Sequence, residues 1–209
     1  MSALKEIKRV LILGNSITRH GPLPEIGWPY NWGMAASCKE KDYVHVLMGK
    51  IQAVYKNAEV LYFNIADFER YFYQSEYECA EFVIELANQW KPDLVILRIG
   101  ECTEDDKARE RNYGKYYRGL IERLREPGDA IVLCVSCVGR NKNINDLIHE
   151  AAVAEGCEYI DISFIDSDPA NKALGLFEHG GVAGHPGDLG MRRIAEAIWD
   201  RITKVYGIK

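Results

Sequence analysis

Nowhere in this sequence is there an apolar run approaching the roughly 20 residues that span a bilayer, and Lys and Arg never gather into a long block. The first absence argues against a membrane span. The second, with a net charge of -5, argues against nucleic acid as the main partner, because phosphate binding calls for a basic face. Internal repeats, low-complexity segments and a linker are missing too, so the 209 residues are read as one domain, 1–209. The opening stretch, Met1 to Val10, lacks the apolar core of a signal peptide. The chain as written is expected in the cytoplasm; prior removal of a leader would make it an exported protein. His179 and His185 are six residues apart with little else near them to ligate a metal, so neither a metal site nor a cofactor is expected. Nothing in the sequence decides the oligomeric state.

Cysteine is present but not in the pattern of a stapled scaffold. A chain of this size has core enough without disulfides. Several of the six cysteines lie in apolar segments, where a thiol packs as a small hydrophobe. Cys134 and Cys137 have the CxxC spacing, yet they sit in a strand-like run and do not open a helix, so redox or zinc use is not expected.

Five short apolar runs stand out: Val10 to Leu13, Val60 to Ile65, Leu94 to Ile99, Ala130 to Val138 and Tyr159 to Ile165. Most are near-continuous, which is how strands buried on both faces read. Between them, apolar residues recur at the three-and-four spacing of amphipathic helices, over 44–55, 77–90, 113–124, 144–152 and 191–205. The alternation predicts an α/β fold: a three-layer α/β/α sandwich around a five-stranded, mainly parallel sheet. Lys91-Pro92-Asp93, Glu126-Pro127-Gly128-Asp129 and the glycine-rich stretch from Gly175 to Gly190 punctuate it. Ligands of such sheets bind at the carboxyl ends of the strands. Attention therefore falls on the loops after Leu13, Ile65, Ile99 and Val138, and on the stretch after Ile165.

The first of those loops reads Gly14-Asn15-Ser16-Ile17-Thr18. Gly14 permits a sharp turn, after which the Ser16 hydroxyl can stand exposed above the sheet and its N–H can face a developing oxyanion. Alone, the loop reads equally as a strand end with a capping Ser or Asn. The stretch before the last helix adds His185 between Gly184 and Pro186. A neutral imidazole there can take a proton from a serine and return it to a leaving group. Asp188 is read as the N-cap of that helix.

Together, the Gly14–Thr18 stretch and the Gly184-His185-Pro186-Gly187-Asp188-Leu189-Gly190-Met191 stretch resemble the first and last motif blocks of the SGNH/GDSL hydrolase family. The resemblance implies a flavodoxin-like fold and an esterase with Ser16 as nucleophile and His185 as general acid/base. Asn15 stands where the family usually has Asp. The family's usual Asp three residues before its histidine is Val182 here, which leaves Glu178, Asp166 or Asp168, or a backbone carbonyl in a Ser–His dyad, to orient the ring. The family's second block supplies a glycine N–H to the oxyanion; the matching segment, Phe63 to Glu69, has no glycine, so Ala66 or Asp67 would offer the N–H. The third block supplies an asparagine amide; here it reads Gly100-Glu101-Cys102, with Asn64 as a stand-in donor. A thiol is a weak donor beside an amide.

Trp28 and Trp32, with Asn15, are candidates for a substrate pocket, although aromatics mostly serve burial. The aromatic run Phe68 to Tyr73 has the same two readings. The expected substrate is a small-molecule or carbohydrate ester, with a small acyl group such as acetyl. Two rivals remain: a catalytically weakened binding protein for a carbohydrate or other small ligand, and a flavin or nucleotide binder. Against the latter, the first loop lacks a glycine-rich or lysine-bearing phosphate signature.

Overall fold

The computed structural model describes residues 6–126, 128–139 and 141–208. Residues 1–5 of the opening stretch and Pro127 of the second breaker lie outside them. Five strands, β1 (Arg9–Gly14), β2 (Glu59–Asn64), β3 (Leu94–Arg98), β4 (Ile131–Val135) and β5 (Glu158–Ile160), form one sheet in the order β2-β1-β3-β4-β5. Every pairing is parallel. The helices are α1 (Tyr43–Val54), α2 (Ala66–Ser75), α3 (Glu81–Trp90), α4 (Tyr113–Arg125), α5 (Lys142–Ala154), the single turn α6 (Gly180–Ala183) and α7 (Asp188–Tyr206).

The sheet's two faces are covered by different helices, which explains the unbroken apolar strands. Leu11, Leu13, Val95 and Leu97 point into a core shared with Phe68 and Phe72 of α2, Val83 of α3, Leu120 of α4 and Ile148 of α5. Their neighbours Val10, Ile12, Leu94 and Ile96 point the other way, onto Leu47 and Ile51 of α1 and Ile194 and Ile198 of α7. A third, small cluster gathers Trp28, Met34, Ala35, Ala173 and Val182 beyond the strand ends. Among the described residues no helix is long and apolar enough to cross a membrane.

Three sequence readings are corrected. The run read as a strand from Tyr159 to Ile165 leaves the sheet after Ile160 and turns into a 3₁₀ segment at Ser163–Ser167. Side chains draw it out of the ladder: Ser136 Oγ accepts the Ile162 N–H at 2.8 Å, and Asp161 Oδ1 accepts the Ser163 N–H at 2.8 Å. The second concerns form alone: the aromatic run from Phe68 to Tyr73 is the helix α2, and of its two readings burial holds for Phe68 and Phe72, with Glu69 buried beside them. Finally, Gly187 is the N-cap of α7; Asp188 is its first residue, and its carboxylate takes Ser37 N–H and Lys41 Nζ at 2.8 Å each.

Candidate active site

β1 lies between β2 and β3, so its C-terminal loop opens at the middle of the sheet's carboxyl edge. The chain turns there at once. A Cβ on Gly14 would sit 1.9 Å from Thr18 Oγ1 and 3.0 Å from the Arg98 carbonyl, so only glycine fits. Thr18 and Arg19 N–H both return to the Asn15 carbonyl, and the Ser16 carbonyl accepts the Met34 N–H at 2.9 Å. Ser16 is thereby held at a helical turn with its hydroxyl toward the loop before α7.

That loop brings in His185. Its carbonyl accepts Ala173 N–H and its own N–H returns to the Val182 carbonyl, each at 3.0 Å. Ser16 Oγ is 2.8 Å from His185 Nε2. The other ring nitrogen, Nδ1, is 2.6 Å from the Gly181 carbonyl. A carbonyl only accepts, so the proton sits on Nδ1 and Nε2 is left to accept from the serine. Burial holds the His185 pKa below the ordinary 6.5, against the opposing pull of the Gly181 carbonyl. The ring is therefore neutral at pH 7.

Among the described residues no carboxylate is hydrogen-bonded to the ring. Asp166 pairs with Lys172 at 2.6 Å. Asp168 takes the Ala170 N–H and Arg193, and Glu178 lines a separate surface hollow with Leu176 and Phe177. Val182, at the position of the family's acid, is fully buried in the third cluster.

Ser16 and His185 open onto a cleft of about 450 Å³ whose walls include His20, Met34, Asn64, Asp67, Arg70 and Cys102. A larger hollow of about 790 Å³ beside α4 and α5 has no serine, histidine or cysteine in its lining and is set aside on that ground. Ala66 and Asn64 are at the cleft: the Ala66 N–H goes to Asn64 Oδ1 and one Asn64 Nδ2 hydrogen to the Arg19 carbonyl, both at 2.8 Å, while the second Asn64 amide hydrogen has no partner among the described residues. Gly100 and Cys102 N–H both go to Glu69. Gly100 itself is outside the cleft lining. Two other N–H groups at the cleft, those of Ser16 and Asp67, have no partner among the described residues. Burial, reinforced by Glu69, pushes the Cys102 thiol up to about 12, so it is neutral.

The expected pocket residues Asn15, Trp28 and Trp32 are elsewhere. Trp28 is fully buried in the third cluster and donates to the His20 carbonyl; Trp32 donates to the Ala36 carbonyl. They form the frame behind the loop that seats Ser16. Asn15 is buried beneath the Ser16 turn in a polar network with Glu69, Glu101 and Arg98. The sequence reading missed this network. Its only trace was two glutamates in loops and helices of ordinary composition, where a glutamate is usually solvated. Among the described residues, no three His, Cys, Asp or Glu side chains come together to hold a metal.

No family model matches the chain, and no curated protein matches its sequence. Solved structures do share its fold. A two-domain esterase (CEX) active on acetylated mannans superposes with a TM-score of 0.62 at 16% identity; the match covers 98% of this chain but 50% of that one, so the chain spans about half its length. An acetylxylan esterase from Geobacillus stearothermophilus, Axe2, solved as a catalytic mutant, gives 0.57 at 15% identity over 98% of this chain and 96% of that one. A putative GDSL-like lipase from Bacteroides ovatus gives 0.59 at 16% identity, covering 96% and 100%. With a 2-1-3-4-5 parallel sheet and these neighbours, the chain has the flavodoxin-like SGNH/GDSL hydrolase fold.

Proposed function

We propose that the protein is a carboxylic ester hydrolase working through a Ser16–His185 dyad, with the Gly181 carbonyl in the place of a third acid. One observation carries the reading: a serine hydroxyl 2.8 Å from the basic nitrogen of a neutral imidazole whose far side is fixed at 2.6 Å. His185 Nε2 takes the Ser16 proton as Oγ attacks the ester carbonyl. The unpartnered N–H groups of Ser16 and Asp67 are the donors for the oxyanion. Collapse of the tetrahedral intermediate passes the proton from His185 to the departing alcohol and leaves an acyl-serine. Water, deprotonated by the same imidazole, then releases the acid and restores the enzyme.

The substrate in this reading is a small acyl ester, such as acetyl, on a carbohydrate. The cleft is modest; its walls carry Asn64, Asp67 and Arg70, groups suited to hydroxyls, beside Ile26, Met34 and Ala66, which suit a small acyl group. Two structural neighbours that act on acetylated mannans and acetylxylan support the same choice. One observation favours a second reading, a binding protein with weakened catalysis: the N–H groups of Ala66, Gly100 and Cys102 and one of the two Asn64 amide hydrogens are bonded within the protein.

A fluorophosphonate probe separates the two. Labelling at Ser16 in the native protein, abolished in Ser16→Ala and sharply reduced in His185→Ala, is the expected result. A native protein that stays unlabelled beside a reactive control hydrolase overturns the hydrolase in favour of the binding protein.

A further inference from the structure

Beneath the nucleophile turn lies a carboxylate that the dyad does not touch. Glu69, on α2, is 1% exposed. Its Oε1 accepts from Asn15 Nδ2 at 3.0 Å, and its Oε2 accepts the N–H groups of Gly100 at 2.8 Å and Cys102 at 2.7 Å. Its own backbone carbonyl accepts from Thr103 Oγ1 at 2.8 Å. Asn15 passes the constraint upward. Its second amide hydrogen goes to Glu101 Oε2 at 2.6 Å, and its Oδ1 accepts the Ile17 N–H at 3.2 Å and Arg98 Nη1 at 3.3 Å. Both ends of the Asn15 amide are thus committed in one orientation, with Ser16 between the two residues they fix. Burying an acid here costs stability that an apolar side chain would spare.

We propose that Glu69 is a positioning residue for the Ser16–His185 dyad, its carboxylate holding the nucleophile turn and the Gly100–Cys102 loop in register. The proposal rests on the hydrolase reading above and deepens it. Every contact uses Glu69 as an acceptor, so the anion is the form that fits. Glu101, Cys102, Cys137 and Tyr113 face it from other elements, and Arg98 is the cation among these groups. Burial first, and then Glu101, raise the Glu69 pKa to about 7. A proton on either oxygen displaces one of its three donors. The dyad's alignment, and hence turnover, therefore fails as pH falls through that range, above the limb set by His185.

The test compares native protein with Glu69→Gln and Glu69→Asp on p-nitrophenyl acetate, with active sites counted by fluorophosphonate labelling. For Glu69→Gln, kcat per labelled site is expected to fall about tenfold or more, as small misplacements do, while KM changes less than about twofold. The acid limb of kcat moves to lower pH, since only His185 is left to titrate. Should the Gln variant not fold, Glu69→Asp keeps the charge and withdraws it by one methylene; the same loss of kcat at preserved KM is expected. Native kcat per labelled site in the folded variant, with an unmoved acid limb, overturns the proposal alone. Native protein that neither labels nor turns over overturns the hydrolase reading and this proposal with it.

Discussion

On the dyad reading, Val182 and His185 show a role moved from a side chain to the backbone. Val182 is fully buried against Trp28, Met34, Ala35 and Ala173. A carboxylate placed there faces an apolar cluster, and the ring nitrogen it would serve already has the Gly181 carbonyl. Val182→Asp is therefore expected to cost about 3 kcal/mol of stability in urea unfolding and to leave kcat no higher than native. His185→Ala is expected to lower kcat by roughly 10² to 10⁴ with little change in stability. The His185 pKa is depressed by burial, so its share of stability is present above pH 6.5 and lost as pH falls through the folded value. The neutral base of the proposed dyad disappears over the same range, and the pH profile of kcat/KM in Glu69→Gln, where the Glu69 limb is gone, checks it. Ser16 and His185 were legible because small, loop-forming residues surround both. The network of Asn15, Glu69 and Arg98 was not: a buried polar cluster is assembled from three separate segments, and no local pattern marks it.

At the scale of elements, tight backbone approach decides what the loops tolerate. Gly14→Ala puts a methyl 1.9 Å from Thr18 Oγ1, so the nucleophile turn has to open. The expected outcome is a loss of about 2 kcal/mol or more together with loss of fluorophosphonate labelling, read in one sample by melting and mass spectrometry. Gly100 is bound by a second constraint, a φ of 143° that side-chain-bearing residues rarely adopt. The strands β1, β3 and β4 were readable because burial on both faces leaves an unbroken apolar run. β5 was overextended because Ile162 and Ile165 continue the apolar pattern while side chains of Ser136 and Asp161 take over the backbone bonds. α2 was missed because its inward face carries Glu69 among the aromatics.

Across the whole molecule, the two main cores share one sheet, each strand supplying side chains to both in alternation. Neither core persists if the other is lost. One cooperative unfolding step is expected, with Trp fluorescence and far-UV circular dichroism giving the same midpoint in urea. Two separated midpoints would break the reading of residues 1–209 as one domain.

Ser16 and His185 are 169 positions apart in the chain, and α7, which follows His185 directly, closes against α1. On the dyad reading, activity is thus a report that two distant segments have met. A polypeptide cut before α6 contains Ser16, the sheet centre and most of one core, yet lacks the imidazole that the dyad reading requires. On that reading the serine stays unreactive until the α6–α7 segment has docked, so labelling of Ser16 doubles as a readout of long-range closure.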